Sequence, residues 1–258
     1  MSALAFAGKG LALSSDGIAD VCDLLQVKAA EVWSVLRVET SGKGFLSDRR
    51  PQILFERHIF SKRTNHQYDA THPGISSPTP GGYGNGGANQ YTRLNEAIAL
   101  NREAALESAS WGIGQVMGFN ATSVNYPNAT AMIHAMVENE DAQLMAMARF
   151  IVNNKLARAL TIHDWASFAR GYNGSNYAIN QYDAKLASEY QRLATRGLPD
   201  LTVRAVQLYL TYLGYDPHGV DGFAGRFTNS AVADFLAASQ LPAGLPMDQV
   251  LQELQKRL

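Results

Sequence analysis

Cys22 is the one cysteine in 258 residues, so no intramolecular disulfide can form and the fold must hold without that staple. Long apolar runs are missing too. No segment approaches the roughly 18 consecutive apolar residues of a membrane-crossing helix, so no membrane partner is expected. Lysine and arginine nowhere cluster, the formal net charge is −1 and the pI is near 6.6. A nucleic-acid binder would carry a basic stripe, so nucleic acid is not an expected partner. From Pro199 onward there are six acids and four bases, which leaves +1 for the rest; neither part draws a polyanion by charge alone. At the N-terminus, "MSALAFAGKG" has no basic stretch before its apolar run, and Lys9 interrupts that run too early for a signal peptide. Cytoplasmic synthesis is the expectation.

What is present is an ordinary globular composition, 46% hydrophobic and 17% charged, long enough for a core of roughly 150 to 200 residues plus a small module. A helical pair is predicted at about Asp16–Leu25, with Ser15 as N-cap, and Ala29–Glu39. "PQILFERHIF", Pro51 to Phe60, alternates as a short strand. "HPGISSPTPGGYGNGGANQY", His72 to Tyr91, is too rich in glycine and proline for regular structure and lacks the GK[ST] of a phosphate cradle, so it reads as a long loop. From Tyr91 to Leu193 the pattern is mainly helical, with Met132, Ile133, Met136, Val137, Leu144, Met145, Ala148 and Ile151 as core positions. A helix over about Tyr177–Leu193 is expected to bury Ile179, Tyr182, Leu186 and Tyr190. Gly197 and Pro199 mark a boundary, after which three amphipathic stretches predict a small three-helix bundle.

Three short stretches carry chemistry. In "VLRVETSGKGF", Val32, Val35, Leu36 and Glu39 fall at i, i+3, i+4 and i+7, one helix face, and Gly42 and Gly44 then stop the helix. Glu39 therefore points inward in the last turn, where apolar neighbours and unpaired carbonyls both disfavour its anion and raise its pKa. That suits a general acid near neutral pH; a structural glutamate tied to Lys43 fits the pattern as well. In "SASWGIGQVMGFN", Gly112 and Gly114 let a backbone approach a ligand closely and Gln115 offers both donors and acceptors, which suits amide or sugar recognition. In "FARGYNGSNY", Tyr172 and Asn173 bring polar tips beside two glycines.

Together and in this order, the three stretches resemble the lysozyme-like superfamily of peptidoglycan glycosidases and lytic transglycosylases. "VETSGKGF", "PQILFERHIF", "HPGISSPTPGGYG", "SASWGIGQVMGFN" and "FARGYNGSNYAINQYDAKLA" look more closely like the N-acetylmuramidase family of endolysins from bacteriophages of Gram-negative hosts, over about Lys28 to Leu193. "VRAVQLYLTYLGY" and "GVDGFAGRFTNSAVADF" are similar to the three-helix peptidoglycan-binding domain. Asp221, Gly222, Gly225 and Thr228 match its turn and second helix; Leu236 stands where a glutamine is common. The resemblance implies a mainly α fold, an α+β lysozyme-like catalytic domain with a short β-hairpin region at 1–195 and a three-helix wall-binding domain at 200–258. It also implies cleavage between N-acetylmuramic acid and N-acetylglucosamine without metal or cofactor, by a monomer that acts on the periplasmic wall of the host after release.

Glu39 is then the proton donor, and Tyr172 and Gln115 orient it and the sugar's N-acetyl group, with Ser110, Gly112 and Asn173 lining the same site. A hydrolase also needs a second carboxylate, roughly 5–5.5 Å away for retention or 6.5–9.5 Å for inversion. Glu56 is the choice over Asp48, because a strand holds a side chain more firmly than a turn; without it, the sugar's own 6-hydroxyl could attack, as in a lytic transglycosylase. His66, Asp69 and His72 recur at three-residue spacing but lack a strong zinc signature, and His134 and His163 receive no role. Trp111, Tyr126, Phe119 and Tyr177 are candidate sugar-stacking residues.

Overall fold

The computed structural model describes residues 6–40, 42–175 and 177–258. Among the described residues, short polar side chains cap six of the thirteen α-helices. Ser14, not Ser15, caps α1 (Ser15–Leu25), accepting a hydrogen bond from the Gly17 amide at 2.9 Å; its extended backbone lets the hydroxyl turn back over the first turn. Helix α2 (Ala29–Thr40) follows and buries Val32, Trp33, Val35 and Leu36.

Strand β1 covers only Ile53–Phe55, much less than the predicted Pro51–Phe60. A strand extends only as far as its partner. Strand β2 (Ala109–Trp111) pairs Ile53 with Trp111 and Phe55 with Ala109, and there the ladder ends. The next amide, of Glu56, donates instead to the Ser108 carbonyl at 2.9 Å, and α3 (Arg57–Arg63) begins. The Gly/Pro loop is shorter than predicted because α4 (Ala88–Leu100) starts inside it. One buried glutamine orders that loop: Gln90 accepts from the Phe55 amide at 2.9 Å and donates to the carbonyls of Tyr83 and Asn85 at 2.7 and 2.8 Å.

Helix α5 (Arg102–Glu107) leads into β2, and β3 (Val116–Met117) completes an antiparallel sheet of order β1-β2-β3. Helices α6 (Ala129–Met136), α7 (Glu140–Asn153), α8 (Ala157–Thr161) and α9 (Trp165–Asn173) follow, with Asn128, Asn139 and Asp164 capping α6, α7 and α9. The expected core positions on α6 and α7 are buried except Met145, which is only partly covered. Helix α10 (Tyr182–Arg196) starts later than predicted, because Gln181 is left-handed (φ 53°) and breaks the helical phase. Ile179 falls before the break and is 78% exposed, against expectation.

The last three helices, α11 (Leu201–Tyr212), α12 (Arg226–Ala238) and α13 (Met247–Gln255), gather a second cluster around Val206, Leu210, Phe235, Val250 and Leu254. That cluster also takes in Phe45 from the main part. Tyr212 donates to the Gly10 carbonyl at 2.9 Å, and Tyr209 accepts from the Ala12 amide at 3.1 Å. The protein is thus mainly helical with one small sheet, the expected class. Among the described residues no helix is long and apolar enough to cross a membrane.

Candidate active site

Helix α2 ends by the expected means. Gly42 takes a left-handed conformation (φ 83°) and its amide donates to the Leu36 carbonyl at 3.1 Å, a glycine C-cap. Thr40 donates to the Ile113 carbonyl at 3.0 Å, which ties the helix end to the turn between β2 and β3. Glu39, in this last turn, receives one hydrogen bond, from Asn173 Nδ2 at 2.8 Å. It makes no ion pair among the described residues, and Lys43, beyond the cap, is not its partner. The residue as a whole is half-buried. Even so, surrounding protein pushes its pKa up to about 7, burial outweighing the opposing Asn173 bond.

Glu39 borders an open cleft of about 510 Å³. Arg37, Thr40, Lys43 and Gln52 line one side; His218, Gly219, Val220 and Asp221, from the turn between α11 and α12, line another. Arg37 is held by Glu189 at 3.3 Å. The C-terminal wall had no place in the sequence reading of the site.

The structure redistributes the other expected roles. Tyr172 does not bond Glu39. It donates to the Gly114 carbonyl at 2.6 Å, and burial, with the nearby Glu39 charge, raises its pKa so that it keeps that proton. Gln115 is equally committed: it accepts from Ser110 Oγ and donates to the Gly112 carbonyl, both at 2.8 Å, so Ser110 and Gln115 brace the hairpin. Gly112 (φ 70°) meets protein where a ligand was expected, for a Cβ there would lie 2.7 Å from the Gln143 side chain. That glutamine accepts from the Ile113 amide at 2.7 Å. Asn173, ranked as a lining residue, is the group that orients Glu39, and its own Oδ1 is buried without a partner among the described residues.

Trp111 is a correction. It is fully buried, donates Nε1–H to the Leu106 carbonyl at 3.1 Å and packs with Phe6 and Tyr91, so it is core and cannot stack on a sugar. Tyr126 packs on the main core under Arg149, Tyr177 lies beneath Arg170, and Phe119 borders a different hollow with Arg63. None of the three lines the Glu39 cleft.

Glu56 is not on a strand but at the start of α3. Its Oε2 lies 3.1 Å from His58 Nδ1, too poorly aligned for a hydrogen bond, since both atoms are buried without one. Burial raises its pKa, opposed by the nearby His58 and Tyr83. Burial, with the Glu39 charge and Tyr83, raises the pKa of Tyr182, and Glu56 does not itself line the cleft. Asp48 is tied to Arg50 at 2.6 Å, and bonds from Arg50 hold its pKa low against its partial burial.

Asp69 accepts from Ser76 Oγ at 2.5 Å and from Ser61 Oγ at 2.9 Å and pairs with His66 at 3.0 Å, while His72 bonds Thr71 instead. Among the described residues, no three His, Cys, Asp or Glu side chains gather into a cluster that could hold a metal ion. His163 pairs with the buried Glu31 at 2.8 Å and stacks on Trp165, a structural tie.

The N-acetylmuramidase family model matches residues 28–194. The chain belongs to that family. A solved structure, the crystal structure of the Burkholderia AP3 phage endolysin, is similar at 40% identity with a TM-score of 0.64, over 70% of each chain. No curated protein sequence matches significantly.

Proposed function

We propose that this chain is an endolysin that hydrolyses the β-1,4 bond between N-acetylmuramic acid and N-acetylglucosamine in bacterial peptidoglycan, with Glu39 as the proton donor. One observation carries the reading: in a muramidase-family chain, a carboxyl at a helix end faces an open cleft, oriented by a neutral amide and holding its proton to about pH 7. The leaving oxygen of a glycoside is a poor base, so a proton delivered as the bond breaks is the first requirement. Asn173 aims the carboxyl. Tyr172, Ser110 and Gln115 act one layer back, by fixing the hairpin turn against α9. Glu56, at the start of α3, is the second carboxylate in this reading.

Residues 1–195 form the catalytic domain and 200–258 a wall-binding domain, whose groove of about 490 Å³ between Val232, Leu236, Leu241 and Met247 offers an apolar surface. The protein works as a monomer on glycan strands of the host's periplasmic wall, reached after release from the cytoplasm.

A lytic transglycosylase is the second reading, favoured by one fact: among the described residues of the main part, Glu39 is the one carboxylate that lines the cleft. The two differ in product. Mass spectrometry of fragments from purified peptidoglycan should find reducing N-acetylmuramic acid ends and no release by Glu39→Gln. Dominant 1,6-anhydro ends would replace hydrolysis with transglycosylation, and full activity of Glu39→Gln would remove Glu39 from the mechanism.

A further inference from the structure

We propose that the C-terminal helical unit is a working part of the catalytic cleft, with Arg204 as a positioning residue for the Gly42–Gly44 turn and the His218–Asp221 loop as a substrate-facing wall. This deepens the muramidase reading and rests on it.

Arg204 on α11 is completely buried. Its Nε donates to the Gly42 carbonyl at 3.1 Å, and its Nη2 donates to Glu140 Oε1 at 2.8 Å, with Nη1 on the other carboxylate oxygen. Glu140 in turn accepts from the Gly44 amide at 2.7 Å and from the Leu13 amide at 2.9 Å. The guanidinium fork and the carboxylate therefore grip both ends of the short turn that follows Glu39, one at a carbonyl and the other at an amide. Among the described residues, no donor from the main part reaches the Gly42 carbonyl. A charge pair this deep requires every partner in place; a module swinging on a tether would present a polar, wet surface there.

The wall is rigid for a second reason. Gln207, three residues after Arg204 on the same helix, accepts from the amides of Asp221 and Gly222 at 2.9 and 2.8 Å and donates to Asp221 Oδ1 at 3.0 Å. Asp221 Oδ1 also accepts from the Phe223 amide at 3.0 Å. One helix thus carries both the grip on the turn and the anchor of the wall. A Cβ on Gly42 would lie 3.6 Å from the Val220 carbonyl, so wall and turn meet directly beside the cleft that Glu39 borders.

A tethered wall-binding module raises local concentration on insoluble wall and has no effect on short soluble substrates. The test uses that difference. Full-length protein is assayed on soluble, uncrosslinked glycan oligosaccharides from peptidoglycan, with kcat and KM separated. Arg204→Met should lower kcat at least tenfold while a cooperative thermal transition remains. Arg204→Lys, which keeps the charge without the fork, should recover part of that loss. His218→Trp, at an exposed position of the wall where the ring packs on the exposed Phe227, should raise KM several-fold by filling the cleft. Wild-type kcat in folded Arg204→Met together with wild-type KM in His218→Trp would overturn the inference and leave a tethered module. If Arg204→Met does not fold, the KM of His218→Trp decides alone. Failure of the unaltered protein to release any ends from these strands would instead remove the muramidase reading beneath it.

Discussion

Glu39, at the end of α2, and Glu140, at the start of α7, are both glutamates within the protein body, and the two regions treat them in opposite ways. Glu140 is fully buried, sits where the helix amides favour a negative charge, and meets an arginine fork and two further backbone amides. Glu39 sits at the carbonyl end of its helix with one neutral amide for company, and burial pushes its pKa to about 7. Their partners differ as much as their depth. The first glutamate is built into the frame as half of an ion pair, and the second is left with a proton to give.

The largest test of that contrast is to neutralise the acid. Glu39→Gln should reduce the release of reducing ends from peptidoglycan by about 100- to 10,000-fold, the usual worth of a positioned acid, while leaving the fold intact. Next is the frame. Arg204→Met strands Glu140 without its cation and should cost about 3 to 5 kcal/mol in urea unfolding, and Glu140→Gln added to it should restore part of that loss.

The pH dependence of stability separates the two regions further. A folded pKa of about 7 against an ordinary 4.5 means that native stability is intact below about pH 4.5 and falls as pH rises toward 7, then levels. Glu39→Gln removes that slope. It should therefore gain stability over the wild type at pH 8 relative to pH 4.5, by up to about 3 kcal/mol, less where the open cleft lets water screen the charge. Differential unfolding curves at the two pH values would reveal it; parallel curves would mean that Glu39 titrates normally.

The smallest effect is on the rate profile. Activity should decline as pH rises through about 7, because the acid loses its proton. The Asn173 bond lowers that pKa, so Asn173→Ala should move the alkaline limb upward, by less than about one unit, while also reducing kcat through lost orientation. A downward shift would mean that Asn173 does not hold the anion.

Local pattern reached some of this arrangement and not the rest. The apolar spacing before Glu39 and the glycine at 42 were enough to place a carboxyl inward at a helix end, because periodicity and capping are properties of adjacent residues. The direction of a hydrogen bond is not. Tyr172 and Asn173 are neighbours in the chain, and only the packed structure shows that the amide reaches Glu39 while the phenol turns to Gly114. Gly112 was read as room for a ligand when the space belongs to Gln143, which comes from α7. Glu56 fits an alternating run, yet its strand stops where β2 stops. The loop at His218–Asp221 carries no local mark of facing residue 39. A sign did exist in α11: Val203 through Leu210 are all buried, and within that run Arg204 and Gln207 share a helix face at i, i+3, where a charge and an amide need partners from elsewhere in the fold.

The pairing of Arg204 with Gly42 joins positions 162 residues apart. On a ribosome, the turn behind Glu39 must wait for nearly the whole chain to emerge before its last ligand arrives. Premature termination anywhere ahead of α11 would leave that turn without the Arg204 grip.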